Sequence, residues 1–127
     1  MYSHMMVGAN DIDESKKFYD ATFAAMGGKP GHIDDKGRII YMHNGSLFLV
    51  TKPIDGQPAS HGNGCTVGFA MDTSEQADAW HAAGIANGGT AIEDPPGVRS
   101  GGGMSLYLAY LRDPAGNKLC ALRRMPA

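Results

Sequence analysis

The strongest constraint on this chain is that it repeats itself. Asp11 and Asp72, Glu14 and Glu75, Ala21 and Ala82, Ala25 and Ala86, and the pairs Gly27-Gly28 and Gly88-Gly89 each stand 61 residues apart. The order of predicted elements repeats with them. "MMVGA" reads as a short strand, and "DIDESKKFYDATFAAMGG" as a helix with a capping box at Asp11 and Glu14 and a glycine stop. "KPGHI", "RIIYMHN" and "SLFLVTK" then read as three strands, divided by the turn signals "DDKG" and "NG". The second pass runs "CTVGFAM", a helix over "DTSEQADAWHAAGIANGG" capped by Thr73 and Gln76, then "TAIEDPPG", "SLYLAYLRD" and "KLCALRR". A unit of one helix and four short strands cannot cover its own sheet, so two such units must pack together.

This predicts an α+β fold of tandem βαβββ modules packed side by side. Residues 1–127 form one domain: module one at about 1–54, a Pro-, Gly- and Ser-rich linker at 55–63, and module two at about 64–124. Within the helices, Ile12, Phe18, Tyr19, Phe23 and Met26 give the first an apolar stripe. Trp80 matches Tyr19 at the 61-residue offset, and both are expected in the core. The stretch "PPGVRSGGGMS" reads as one long irregular, glycine-rich segment; it lacks the Lys-Ser/Thr ending of a phosphate-binding loop.

Charge excludes several partners. The net charge is −2 with acids and bases mixed, and the basic cluster of Arg112, Lys118, Arg123 and Arg124 is too small to track a phosphate backbone. No nucleic-acid or membrane partner is expected. No apolar run approaches a bilayer span and no export signal is read, so the expected location is the cytoplasm. Cys65 and Cys120 have the composition to pair, but in that compartment two reduced thiols are the expectation, each a small buried hydrophobe.

The segments "YSHMMVGANDIDESKKFY", "GNGCTVGFAMD" and "LRDPAGNKLCAL" make the chain resemble the vicinal oxygen chelate superfamily, which includes glyoxalases, bleomycin resistance proteins and extradiol dioxygenases. The resemblance spans nearly the whole chain, and its most specific part is the closing hairpin "DPAGN". It implies two curved four-stranded sheets around a cleft, usually completed in a homodimer. Metal-dependent members place four His, Glu or Gln ligands on inward-facing strand positions, which suits a divalent ion that polarises substrate oxygens. Those positions fall on His4, Leu49, Thr66 and Cys120, so only His4 keeps a ligand type. Cys120 stands where the metal enzymes have Glu.

The resemblance therefore implies no resident metal or other cofactor and a cleft that binds a small organic molecule. Any activity would be metal-independent and use His4 and Tyr107 as acid–base groups. Leu49, Thr66, Arg99 and Cys120 are the expected cleft positions; Arg99 is either an anion contact or a solvated loop charge. Tyr107 and Tyr110 fall on opposite strand faces, so one lines the cleft and the other packs elsewhere. The competing reading is a metal-dependent lyase, isomerase or dioxygenase with altered ligands.

Overall fold

A computed structural model describes residues 1–126 and shows the predicted duplication as two sheets sharing one core. Module one contains β1 (His4–Gly8), α1 (Ile12–Ala25), β2 (His32–Ile33), β3 (Ile39–His43) and β4 (Ser46–Thr51). Its sheet has the order β1-β4-β3-β2, with β1 parallel to β4 and the remaining pairs antiparallel. Module two contains β5 (Val67–Ala70), α2 (Ser74–Ala86), β6 (Thr90–Ala91), β7 (Gly97–Gly101), β8 (Met104–Arg112) and β9 (Lys118–Arg124). Its order is β5-β9-β8-β6, and β7 also pairs with β8.

The second sheet therefore has five strands where four were expected. The segment expected to be irregular is largely β7, in register with β8 from Gly97 opposite Leu108 to Gly101 opposite Met104. Arg99 holds it there: its guanidinium donates to the carbonyls of Asp94, Pro95, Gly97 and Leu108 at 2.9–3.2 Å. The glycine run supplies only the hairpin turn, with Gly102 and Gly103 at φ 59° and 78°. The expected "NG" turn joins β3 to β4, with Asn44 and Gly45 at φ 48° and 81°.

Both helices start at the predicted caps. Asp11 accepts from the Glu14 N–H and Thr73 from the Gln76 N–H, each at 3.0 Å. The spatial repeat differs from the sequence repeat at this end, since these caps are 62 residues apart. At the helix ends the offset is 61: Gly28 donates to the Phe23 carbonyl, as Gly89 does to that of Gly84. α1 therefore has one more residue than α2, and the shared Asp11 and Asp72 are not equivalent caps.

The helices pack against each other, α1 on β4 and α2 on β8 and β9, covering the core faces of the sheets. Phe18, Tyr19, Phe23, Tyr41, Phe48, Trp80, Leu111 and Leu119 are all buried in one cluster. The "DPAGN" turn ties the modules together. Asp113, 4 % exposed, accepts the Tyr19 hydroxyl at 2.6 Å and the Ala115 and Asn117 N–H groups at 2.9 Å. Asn117 Nδ2 reaches the Gly8 carbonyl at the end of β1. Burial and the neighbouring Asp113 carboxylate push the Tyr19 hydroxyl well above its ordinary pKa, so it stays a hydrogen-bond donor.

Candidate functional site

Strand parity divides each sheet into a core face and an outer face. Phe48, Val50, Ile39 and Tyr41 are in the core, so Leu47, Leu49, Ile40 and Met42 point the other way. The parallel register pairs His4 with Leu47 and Met6 with Leu49, placing His4 and Met6 on that outer face. In module two, Leu119 and Ala121 are core residues; Lys118, Cys120, Leu122 and Arg124 alternate outward. β8 brings Tyr110 opposite Cys120 and Leu108 opposite Leu122, and β5 brings Gly68 opposite Cys120.

The four positions implied by the resemblance are related in pairs. Ala9 and Met71 each donate an N–H to the partner strand, at Thr51 and Leu122, which makes β1 equivalent to β5 and β4 to β9. His4 then matches Thr66, and Leu49 matches Cys120. Their surroundings differ. His4 is exposed, with Nδ1 2.8 Å from the Ser3 hydroxyl, and Thr66 is exposed. Leu49 and Cys120 are buried at 8 % and 5 %. The donor set is one imidazole, one hydroxyl, one thiol and an alkyl chain. Among the described residues, no group of three or more His, Cys, Asp or Glu side chains is placed to hold a metal ion.

Burial pushes the Cys120 thiol above its ordinary pKa; the Tyr110 hydroxyl pulls it down and the Glu93 carboxylate adds to the rise. Cys120 is therefore a neutral thiol near pH 7, not a thiolate nucleophile. Cys65 differs from the expectation of a buried hydrophobe: it is exposed, just ahead of β5.

Tyr107 does not join His4 or Cys120. It lies on the opposite side of β8, where its hydroxyl donates to Asp78 of α2 at 2.6 Å. That hydrogen bond, more than burial, raises its pKa. Tyr110 is the tyrosine on the Cys120 face. It is one of the two tyrosines of which the sequence placed one in the cleft; Lys118 and Glu93, also on this face, were absent from the sequence-based candidates. Lys118 forms an ion pair with Glu93 and sits 5.0 Å from the centre of the Tyr110 ring. Parity gives Lys118 its face, but nothing local in the sequence pairs it with Glu93, which lies in the β6–β7 connection.

A cavity of about 310 Å³ opens between the modules and shares His4, Leu47 and Gly68 with the outer faces. Its lining includes His4, Phe23, Tyr41, His43, Phe48 and Phe69, but not Leu49, Thr66 or Cys120. Phe23 and Tyr41 are stacked with ring centres 4.5 Å apart, and Phe69 meets Phe23 and Phe48 edge-on.

The model of the Glyoxalase/Bleomycin resistance protein/Dioxygenase superfamily matches residues 2–121. The chain belongs to this superfamily. It is similar to a glyoxalase/bleomycin resistance protein from Albidiferax ferrireducens T118, with 58 % identity, a TM-score of 0.94 and coverage of 98 % of this chain and 99 % of that one. A glyoxalase/bleomycin resistance protein/dioxygenase family enzyme from Burkholderia phytofirmans PsJN shares the fold at 20 % identity, TM-score 0.74 and coverage of 97 % and 98 %. A glyoxalase-related enzyme from Fulvimarina pelagi does so at 17 % identity, TM-score 0.71 and coverage of 97 % and 87 %. Comparison with curated proteins gives no match. No helix among the described residues is long and apolar enough to cross a membrane.

Proposed function

We propose that this superfamily member binds a small organic molecule on the outer sheet faces, without a resident divalent metal, in a cleft completed by a second copy of the chain. The observation that carries the reading is the donor set. His4, Leu49, Thr66 and Cys120 supply no carboxylate, and a catalytic divalent site needs about three protein donors and an open position. These residues do not fit such an ion.

The rest of the two faces supports an organic ligand. Met6 and Met42 are 41 % and 76 % exposed, and Ile40 and Leu47 are partly exposed beside them. Leu106, Leu122 and Tyr110, partly exposed beside the buried Leu108, give module two an apolar surface with a hydroxyl. Apolar faces of this kind also favour a partner subunit, and flexible methionines suit an adaptable contact.

With Tyr107 tied to Asp78 on the other face, His4 is the remaining member of the expected acid–base pair on an outer face. The test combines elemental analysis of purified, tag-free protein, sedimentation, and melting curves with divalent ions and with a panel of small aromatic and aliphatic molecules. Absence of stoichiometric metal, a dimer, and a melting shift from an organic compound are expected. Stoichiometric metal whose removal lowers the melting temperature would overturn the metal-free reading. A monomer indifferent to the whole panel would overturn the cleft.

A further inference from the structure

We infer that Lys118, over the Tyr110 ring beside Cys120, anchors the carboxylate of a small organic acid, and that Glu93 is the built-in group this carboxylate displaces. The inference rests on the binding reading above and specifies its ligand class.

Charge on the second outer face points to an acid. By strand parity Lys118 and Arg124 emerge there from β9, Arg112 opposite Lys118 from β8, and Arg99 opposite Leu106 from β7. Arg99 and Arg112 donate to backbone carbonyls, which fixes their positions without cancelling their charge. Glu93 is the acid paired with this group, through Lys118.

Glu93 is also held in an unusual way. Its backbone lies in the left-handed region at φ 58°, where a residue with a Cβ is disfavoured and glycine is at ease. Its neighbours are Ile92 and Asp94 of an irregular connection, so no ladder of hydrogen bonds enforces that conformation. The ion pair with Lys118 supplies an interaction that offsets it. A ligand carboxylate of the same charge and shape would take over Lys118 and release Glu93 to solvent.

Space and chemistry beside Lys118 suit the remainder of such a ligand. Gly68 lies opposite Cys120, and a Cβ built on it would meet no atom within 4 Å. The floor there is a neutral thiol and a glycine, flanked by Tyr110, Leu108 and Leu122. An apolar body fits this floor while its carboxylate reaches Lys118, and the Tyr110 hydroxyl adds a donor.

Benzoate and its neutral isostere benzamide separate the possibilities when titrated calorimetrically into the tag-free full chain, with melting curves confirming that every variant folds. Benzoate should bind at least tenfold more tightly than benzamide. Lys118→Met should remove that preference, whereas Glu93→Gln should tighten benzoate several-fold by removing the internal competitor. A preference that survives Lys118→Met overturns the anchor, and a Glu93→Gln variant that binds benzoate more weakly overturns the displacement. Equal binding of both compounds ends the carboxylate assignment but leaves the apolar-cleft reading standing. Binding of neither also ends the assignment, while the broader reading falls only with the full panel.

Discussion

The two modules share a plan but fill their common core with opposite kinds of side chain. Equivalent positions pair Phe23 with Gly84, Tyr41 with Leu111, Phe48 with Leu119, Val50 with Ala121 and Ile39 with Ala109. Module one contributes the larger residue each time. Two copies with the same large side chains would collide across the seam. Shrinking one side lets the rings of the other enter, at the packing density that protein interiors require. The lesson is that a duplicated fold can keep its backbone symmetry while giving up side-chain symmetry at these facing positions. Elsewhere Tyr19 and Trp80 stay alike in size, and Phe69 is larger than its counterpart Val7.

The largest expected effect comes from taking a ring out of the large side. Phe23 contacts Tyr41, Phe48 and Phe69, so Phe23→Ala should cost about 3–5 kcal/mol in denaturant unfolding. A loss below 1 kcal/mol would mean that the rings are not the main packing element.

Next is the polar tie between modules. Tyr19→Phe removes the hydroxyl from buried Asp113 while keeping the ring, and should cost about 2 kcal/mol, as for a hydrogen bond to a charged group. A neutral result would show that the Ala115 and Asn117 donors satisfy Asp113 unaided.

The small side is tested by adding one methyl group. A Cβ on Gly84 would lie 2.3 Å from Leu111 Cδ1 and 3.1 Å from Phe18 Cε1, and both residues are fully buried. Overpacking of about 1–3 kcal/mol is partly offset by about 1 kcal/mol of better helix propensity. Gly84→Ala should therefore destabilise by about 1 kcal/mol, and a stabilised variant would refute the close approach.

The smallest effect concerns a link confined to module one. Burial alone would raise the Asp20 pKa, but the Gly31 N–H, Lys16 and the Tyr41 hydroxyl outweigh it and the net shift is downward. A depressed folded-state pKa stabilises above the unfolded value of about 4, and that stabilisation is lost as pH falls through the folded value. Melting curves of the wild type and Asp20→Asn should differ at pH 7 and converge in acid below pH 4. A gap independent of pH would show that the charge of Asp20 contributes nothing.

Much of the candidate site is also set by pairing across modules or strands. Parity alone assigns Lys118 and Cys120 to one face of β9 and separates Tyr107 from Tyr110. Which tyrosine faces outward depends on which side of β8 meets α2, and that follows from packing. Asp78 settles the matter by accepting the Tyr107 hydroxyl. Likewise, Arg99 in a glycine-rich segment reads as a free cation until its four carbonyl partners are seen.

Local chemistry determined the elements themselves. Asp11 and Thr73 cap helices, Asn44-Gly45 makes a hairpin, and alternation marks the strands, because each depends on residues a few positions apart. The order of those elements and the repeat determined the family plan. Tertiary structure alone decided the one-residue difference between the helices, the conversion of a glycine-rich segment into β7, the exposure of Cys65 and the meeting of Glu93 with Lys118. The physical reason is range. Capping and turn formation are settled within one turn of chain, whereas burial and ion pairing depend on residues brought together from distant parts of the sequence.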